Sequence, residues 1–373
     1  AHFAEDLIAQ GGGAAPPIHQ SSTFVYPNAE AFERRRSGDT PYPDYTRAGN
    51  PTTAILEAKL ARLEQGSWAR CFASGMGAIT AAINSVTHAG AHVVAVRQCY
   101  GPTHTYLTTY LNRFGVETTF VDSCDPAEFI AAMRDDTRLI YLESPTTGHF
   151  EVPEIEPITA AARARKIRTI FDNSWATPYF QTPLEMGCDL IVHSATKYIG
   201  GHSDLVAGAV IGRDEGLRER ILREAELLGA TLDPFASWLL IRGLRTLAVR
   251  MEHVQRSGLE IARMLESHPK VGSVNHPGLE SHPQHATARK QMRGYASLFS
   301  FRLKDQSREA TYRFIDRLEL FQIGVSWGGH ESLVVGGSLF SVDPAKPDWI
   351  IRLYVGLEAT TDLLADIKRA LED

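Results

Sequence analysis

Between residues 93 and 211 the chain alternates short apolar runs with stretches of helical pattern, and this alternation constrains the fold more than any other feature. The runs lie at 93–96, 139–142, 169–171, 190–192 and 207–211, each bounded by polar or turn residues, and helix-like segments such as 153–165 separate several of them. Strands this uniformly apolar are buried on both faces, as happens when crossover helices cover a sheet. The order therefore predicts an α/β fold with an open, mostly parallel sheet. Ligands of such sheets sit beyond the carboxyl ends of the strands, so reactive residues are expected just after these runs.

The flanks differ in character. Gly11-Gly12-Gly13 and Pro16-Pro17 break regular structure early, so residues 1–50 read as an extended arm. Asn50-Pro51 then offers a helix entrance, an N-cap followed by proline at the first helical position, with Leu56, Leu60 and Leu63 on one face before Gly66. Residues 51–235 are expected to form the large domain and 236–373 a smaller one. In the latter, Leu240, Leu244, Leu247, Met251 and Val254 recur at helical spacing, which predicts one long connecting helix. Phe299, Phe301 and Leu303 alternate with polar residues as in a half-buried strand, and a closing helix is expected near 361–371. The carboxyl third reads as α+β with an antiparallel sheet.

Lys plus Arg number 38 against 44 Asp plus Glu, a formal charge of −6, which gives no electrostatic reason to expect nucleic acid or a membrane surface as partner. The four cysteines form no C-x-x-C pair, which fits a reducing cytoplasm and neither a disulfide framework nor a cysteine zinc site. No apolar stretch is long enough for a membrane span. A small-molecule ligand is the expected partner.

Three strand ends carry candidate chemistry. Ser74-Gly75-Met76-Gly77 follows an apolar run and opens a helix, where unpaired amides and the helix dipole suit a phosphate. Asp172 ends the run at 169–171, and Lys197 follows the run at 190–192 in Ser194-Ala195-Thr196-Lys197. Singly, these read equally well as a tight turn, a helix cap and a solvated lysine. Together, a phosphate cradle, a carboxylate and a lysine make the set that pyridoxal 5'-phosphate requires: a Schiff-base lysine, a partner for the pyridine nitrogen and a phosphate site. A dinucleotide-binding, NADP-dependent reductase is the alternative from another class, since Gly75-Met76-Gly77 partly mimics G-x-G-x-x-G and Arg97 would suit a 2′-phosphate. It leaves Lys197 and Asp172 without a role. His276, His282 and His285 read as a surface loop rather than a metal site, and Trp175 and Trp238 as packing residues.

Ser194-Ala195-Thr196-Lys197-Tyr198 with Gly201-His202-Ser203-Asp204, together with Asp172-Asn173-Ser174-Trp175 and Tyr45-Thr46-Arg47, resembles the Cys/Met-metabolism family of pyridoxal-phosphate enzymes, from about Pro16 to the carboxyl terminus. The resemblance implies a fold-type-I, transferase-like architecture in which Lys197 carries the cofactor, Asp172 pairs with its ring nitrogen, and Gly75, Met76, Ser194 and Thr196 hold its phosphate. It implies further that Tyr100 stacks on the ring and assists proton transfer. Arg352 would grip the substrate α-carboxylate, with Ser326, Trp327 and Tyr45 also on the substrate side. Tyr45 and Arg47 would reach a neighbouring subunit's phosphate, which implies a homo-oligomer, at least a dimer and, by family resemblance, a tetramer.

The resemblance also bears on the reaction, the cleavage of a carbon–sulfur bond in a sulfur amino acid. Gly324-Val325-Ser326-Trp327-Gly328-Gly329 resembles cystathionine β-lyase, whereas many γ-acting members carry Glu before the matching serine. Gly148 stands where γ-acting members commonly show Ser-Asn-Pro after Glu143-Ser144-Pro145. Against this, methionine γ-lyase also tends to have an uncharged residue before the serine, and Tyr100-Gly101-Pro102-Thr103 is closer to γ-acting members. The expectation is a cystathionine β-lyase, with a γ-lyase acting on cystathionine, methionine or another γ-substituted amino acid as the alternative.

Overall fold

A computed structural model of the chain describes residues 2–35, 43–338 and 348–372; residues 36–42 of the arm lie outside them. Seven strands form the large sheet: β1 Trp68–Phe72, β2 His92–Val96, β3 Glu117–Val121, β4 Thr137–Glu143, β5 Arg168–Asp172, β6 Leu190–His193 and β7 Gly208–Gly212. Their order is β1-β7-β6-β5-β4-β2-β3. From β3 to β6 every pair is parallel, and β7 runs antiparallel to both of its neighbours. All five residues of β2 and of β7 are buried. Because successive side chains point to opposite faces, such strands are covered on both.

The run at 207–211 proves to be the antiparallel strand of this sheet. Two further strands carry a weaker signal. β3 alternates exposed and half-buried residues at the sheet edge, and β1 is the run preceding Ser74. From β2 the chain steps outward to β3, whereas β4 to β7 are added in the opposite direction. The carboxyl ends of β2 and β4 therefore flank the switch point where a crevice opens.

The second sheet contains β8 Val271–Asn275, β9 Leu298–Leu303, β10 Gln322–Ile323, β11 Leu333–Gly337 and β12 Ile350–Tyr354, ordered β10-β11-β12-β9-β8. It is antiparallel except for the β10–β11 pair. Phe299, Phe301, Leu353 and Ile351 from its strands join Ile261, Phe314 and Ile367 from helices Leu247–Ser267, Arg308–Asp316 and Thr360–Leu371 in one core. A third cluster, with Trp175, Tyr198, Met251, Leu298 and Tyr354, joins the two halves.

The first residues of the chain pack on helices Pro51–Leu63 and Pro234–Arg245. Glu5 pairs with Lys59 at 3.0 Å and Arg245 at 3.2 Å, and the Trp238 indole donates to the Pro16 carbonyl at 3.0 Å. Asn50 caps helix Pro51–Leu63 by accepting from the Thr52 amide at 2.9 Å. Among the described residues, no helix is long and apolar enough to cross a membrane.

The long helix expected across Leu240 to Val254 is broken. Helix Pro234–Arg245 and helix Leu247–Ser267 meet at Thr246, whose backbone leaves the helical region (φ −109°, ψ 4°). Apolar spacing alone does not register the break, because both helices keep their apolar residues in phase. At the junction Arg250 is buried among oxygens: it donates to the Gly243 carbonyl at 2.8 Å, the Tyr198 carbonyl at 2.7 Å and Thr246 Oγ1 at 3.0 Å. Gly243 lies so close to the segment after Lys197 that a Cβ there would stand 2.3 Å from the Ile199 carbonyl oxygen and 2.5 Å from that of Gly200.

Both obstacles are backbone, so Gly243→Ala is expected to destabilise the protein by about 1–3 kcal/mol, the usual range for overpacking. Urea unfolding at fixed protein concentration measures this, and an unchanged midpoint would count against the close fit.

Candidate active site

A cavity of about 850 Å³ opens at the switch point, lined from both halves of the molecule. Ser74, Gly75 and Met76 enter from the helix after β1, Tyr100 from the loop after β2, Glu143 from the end of β4, and Asp172 from the end of β5. Ser194, Thr196 and Lys197 follow β6, while Ser326, Trp327 and Arg352 come from the smaller half. Ten of the expected site residues thus share one cavity, and Tyr45 and Arg47 do not line it. Arg47 instead donates to the Glu226 carbonyl at 2.8 Å, and Tyr45 is exposed.

The helix start is built as a cradle. Ser74 caps helix Gly75–Val86 by accepting from the Gly77 amide at 2.9 Å, which leaves the Gly75 and Met76 amides, the first two of the helix, turned to the cavity end without an intrahelical acceptor. A Cβ on Gly75 would lie 3.0 Å from Ser194 Oγ, so the position suits only the smallest residue. Ser194 is fixed in turn by its amide, which donates to Ser174 Oγ at 2.7 Å. The Thr196 hydroxyl is engaged with the Ala207 backbone, to which it donates at 3.1 Å and from which it accepts at 2.9 Å.

Asp172 is buried, with its Oδ1 accepting from the Ser174 amide at 3.0 Å. Burial raises its pKa, and the hydrogen bonds from Ser174 oppose the rise. Lys197 Nζ donates to Ser326 Oγ at 2.7 Å and lies 5.3 Å from the centre of the Trp327 ring. Burial, then the nearby Arg352 charge, bring its pKa down to about 8, against the pull of Asp172. A lysine so placed gives up its proton far more readily than one in water. Gly328, at φ +88°, lets the Ser326–Trp327 loop approach: a Cβ there would stand 2.6 Å from the Tyr198 amide. Arg352 is buried on β12 and donates through Nη2 to the Val325 carbonyl. The Tyr100 ring is about half-exposed, and burial, then the Asp172 and Glu143 charges, raise the pKa of its phenol.

The strand-end rule that picks out Asp172 also applies to Glu143, the residue next to the run at 139–142 and the last of β4. Glu143 is opposite Asp172 in the β4–β5 ladder. Its Oε2 accepts from the Tyr100 amide at 2.8 Å, and its Oε1 bonds the Thr147 hydroxyl. Burial, then the Asp172 charge, push its pKa up to about 8.

The histidine loop corrects another expectation. His276 and His282 are buried, each accepting on Nδ1 from an amide two residues on, and burial lowers their pKa to about 3 and 4. Pro277 and Pro283 suggest a surface turn, but the apolar Leu279 and the aromatic contacts of His276 draw it inward. Arg97, the candidate for a 2′-phosphate, pairs with Asp122 at 3.7 Å.

The cavity's chemistry is matched by comparison with known proteins. The family of Cys/Met metabolism PLP-dependent enzymes matches residues 4–372. The chain belongs to this family. Its cofactor is therefore pyridoxal phosphate, which the cradle, Asp172 and Lys197 fit. The chain is 40% identical to an L-methionine gamma-lyase of Porphyromonas gingivalis, over 99% of this chain and 98% of that one. It is 39% identical to the L-methionine gamma-lyase of Treponema denticola (97% and 93% covered) and 38% to the cystathionine gamma-lyase of Bacillus subtilis (97% and 95%). Among solved structures it resembles metB from Corynebacterium glutamicum, with a TM-score of 0.91 at 35% identity, covering 96% of this chain and 93% of that one. These similarities favour the γ reading over the expected cystathionine β-lyase. The Ser326-Trp327-Gly328-Gly329 run that pointed to the β reading instead serves the close approach to Lys197.

The Glu143 carboxyl keeps its proton to about pH 8 in the fold but loses it near the ordinary value of 4.5 when unfolded. Its contribution to stability is therefore complete below that lower value and is lost as pH rises through about 8. Glu143→Gln, which cannot ionise, is expected to gain at least ~1 kcal/mol on the wild-type apoprotein as pH rises from about 5 to 8.5. Urea unfolding across that range checks it, and a difference constant with pH would overturn the assignment.

Proposed function

We propose that the protein is a pyridoxal-phosphate-dependent lyase that eliminates the γ-substituent of a sulfur amino acid, with L-methionine the preferred substrate type. The observation that carries the reading is the rim of the cavity. Val325, next to Ser326, is 74% exposed and uncharged, so it offers no partner to the ionised far end of cystathionine. A small apolar thioether needs none. Full-length similarity to methionine γ-lyases supports the same choice.

In this reading the Gly75 and Met76 amides and the Ser194 hydroxyl hold the phosphate, and Asp172 keeps the ring nitrogen protonated. Thr196 acts on the phosphate side only through the backbone it braces. When bound, the cofactor draws electron density from the substrate α-carbon. Arg352 grips the α-carboxylate with its planar fork, for which a buried guanidinium suits. Lys197, held by Ser326 and shifted toward neutrality by burial and Arg352, takes the α-proton and, once it has handed that proton on, a β-proton. The Tyr100 phenol, protonated at neutral pH, stands on the same cavity and donates to the departing sulfur. The thiol leaves from Cγ, and water completes the conversion of the four-carbon remainder to 2-oxobutyrate and ammonia. Tyr45 and Arg47, outside their own chain's cavity, complete the site of a neighbouring subunit, so the working unit is at least a dimer and, on family grounds, a tetramer. The cytoplasm is the setting that suits its free thiols.

Product analysis tests the reading. L-methionine should yield methanethiol with 2-oxobutyrate, faster than L-cystathionine is consumed. Release of homocysteine with pyruvate from cystathionine, and inertness toward methionine, would restore the β reading. Lys197→Ala should abolish turnover and the visible absorbance of the lysine-bound cofactor. Arg352→Lys should raise KM about tenfold or more while changing kcat less, because the point charge cannot reproduce a bidentate grip; an unchanged KM would remove Arg352 from the carboxylate.

A further inference from the structure

We propose that Glu143 is a positioning residue for Tyr100, setting the tyrosine over the cavity through its backbone; this rests on the reading that Tyr100 serves the bound cofactor. Tyr100 stands at the N-cap of the short helix Gly101–Thr105, with no side-chain cap. Its ring is 44% exposed, and among the described residues no hydrogen bond to the phenol fixes it. The ring's place is therefore set by the main chain, whose amide donates to Glu143 Oε2 at 2.8 Å.

Glu143 is suited to this because it is itself immobile. It ends β4, paired in the ladder with Asp172, and its other oxygen bonds the Thr147 hydroxyl. The Thr147 amide in turn donates to the Gln98 carbonyl at 2.9 Å. One carboxyl thus joins the loop after β2 to the loop after β4, and both loops line the cavity. The titratable groups facing it are Asp172 from β5, Tyr141 from its own strand, and Cys99 and Tyr100 from the opposite loop. None is a cation, so the carboxyl's function here is hydrogen bonding, with the protonated form favoured by its anionic neighbour.

The test is a double-variant cycle in the holoenzyme, read as kcat/KM for 2-oxo acid release, together with titration of the apoenzymes with pyridoxal phosphate followed by tryptophan fluorescence. Glu143→Ala should lower kcat/KM and weaken cofactor binding by about tenfold, and Glu143→Gln, whose amide oxygen still accepts from Tyr100, should recover most of both losses. In a Tyr100→Ala background, Glu143→Ala should cost no more than about threefold further in either measurement, because nothing is left to position. Multiplicative losses would overturn the proposal, as would a Glu143→Gln as damaged as Glu143→Ala. If Glu143→Ala gives no folded protein, Glu143→Met keeps the volume without the acceptor and takes its place in the cycle. Should no sulfur amino acid be turned over, the proposed reaction fails, but the cofactor titrations still decide whether Glu143 acts through Tyr100.

Discussion

Two carboxyl groups stand side by side at the ends of neighbouring parallel strands, both buried, and the rest of the active half is arranged around that fact. Asp172 and Glu143 are paired in the β4–β5 ladder. Bringing two like charges together out of water is costly, and the usual resolution is that one of them keeps its proton. Glu143 has the features of that partner: it is bound by an amide and a hydroxyl, and its pKa is raised by burial and by Asp172. Asp172 then shares the site with two basic groups, Lys197 and Arg352, which suit a cofactor phosphate and a substrate carboxylate.

Such a site is only as good as the loops that hold it, and these are tied in part by groups outside the cavity lining. Glu64, at the end of helix Pro51–Leu63, accepts on one oxygen from Asn173 at 2.7 Å and meets His193 Nε2 at 2.6 Å. Asn173 and His193 are the neighbours of Asp172 and Ser194, so one buried carboxylate ties the ends of β5 and β6. Ser174 ties them again, donating its amide to Asp172 and accepting from the Ser194 amide. Beyond Lys197, Arg250 grips the Tyr198 carbonyl from the helix break at Thr246. These bonds fall on the two strand ends carrying Asp172 and Lys197, while among the described residues Glu64 Oε2, Asn173 Oδ1 and His193 Nδ1 stay buried without a partner.

How much of this the sequence discloses follows from the range of the interactions. The parallel strands are legible because burial on both faces writes an apolar run, and Asp172 and Lys197 are legible because they follow such runs. The break at Thr246 is not, since it depends on Gly243 meeting the backbone of Ile199 and Gly200, a contact with no periodic trace. Glu143 is visible in principle by the same strand-end rule, yet nothing local in the sequence joins it to its partner Tyr100, forty-three residues away. The buried His276 and His282 are misread for a similar reason: proline signals a loop but says nothing about what packs over it. Tyr45 and Arg47 carry a recognisable motif, but one chain gives them no place in its own cavity.

The choice between β- and γ-elimination is the least legible of all, and the geometry around Val325 explains why. Arg352 takes its hold on this loop from the carbonyl of residue 325, while Val325 itself lines the cavity rim and is largely exposed. A main-chain carbonyl is supplied by any residue, so the grip on Arg352 does not depend on what stands at 325. The side chain there is consequently free to vary with the far end of the substrate, leaving the Lys197–Ser326 contact and the cofactor cradle untouched. A scaffold organised in this way can change its substrate by altering a rim residue without altering the machinery beneath it. Motifs that track the machinery, such as Ser326-Trp327-Gly328-Gly329 closing on the Lys197 backbone, identify the family well and the leaving group poorly.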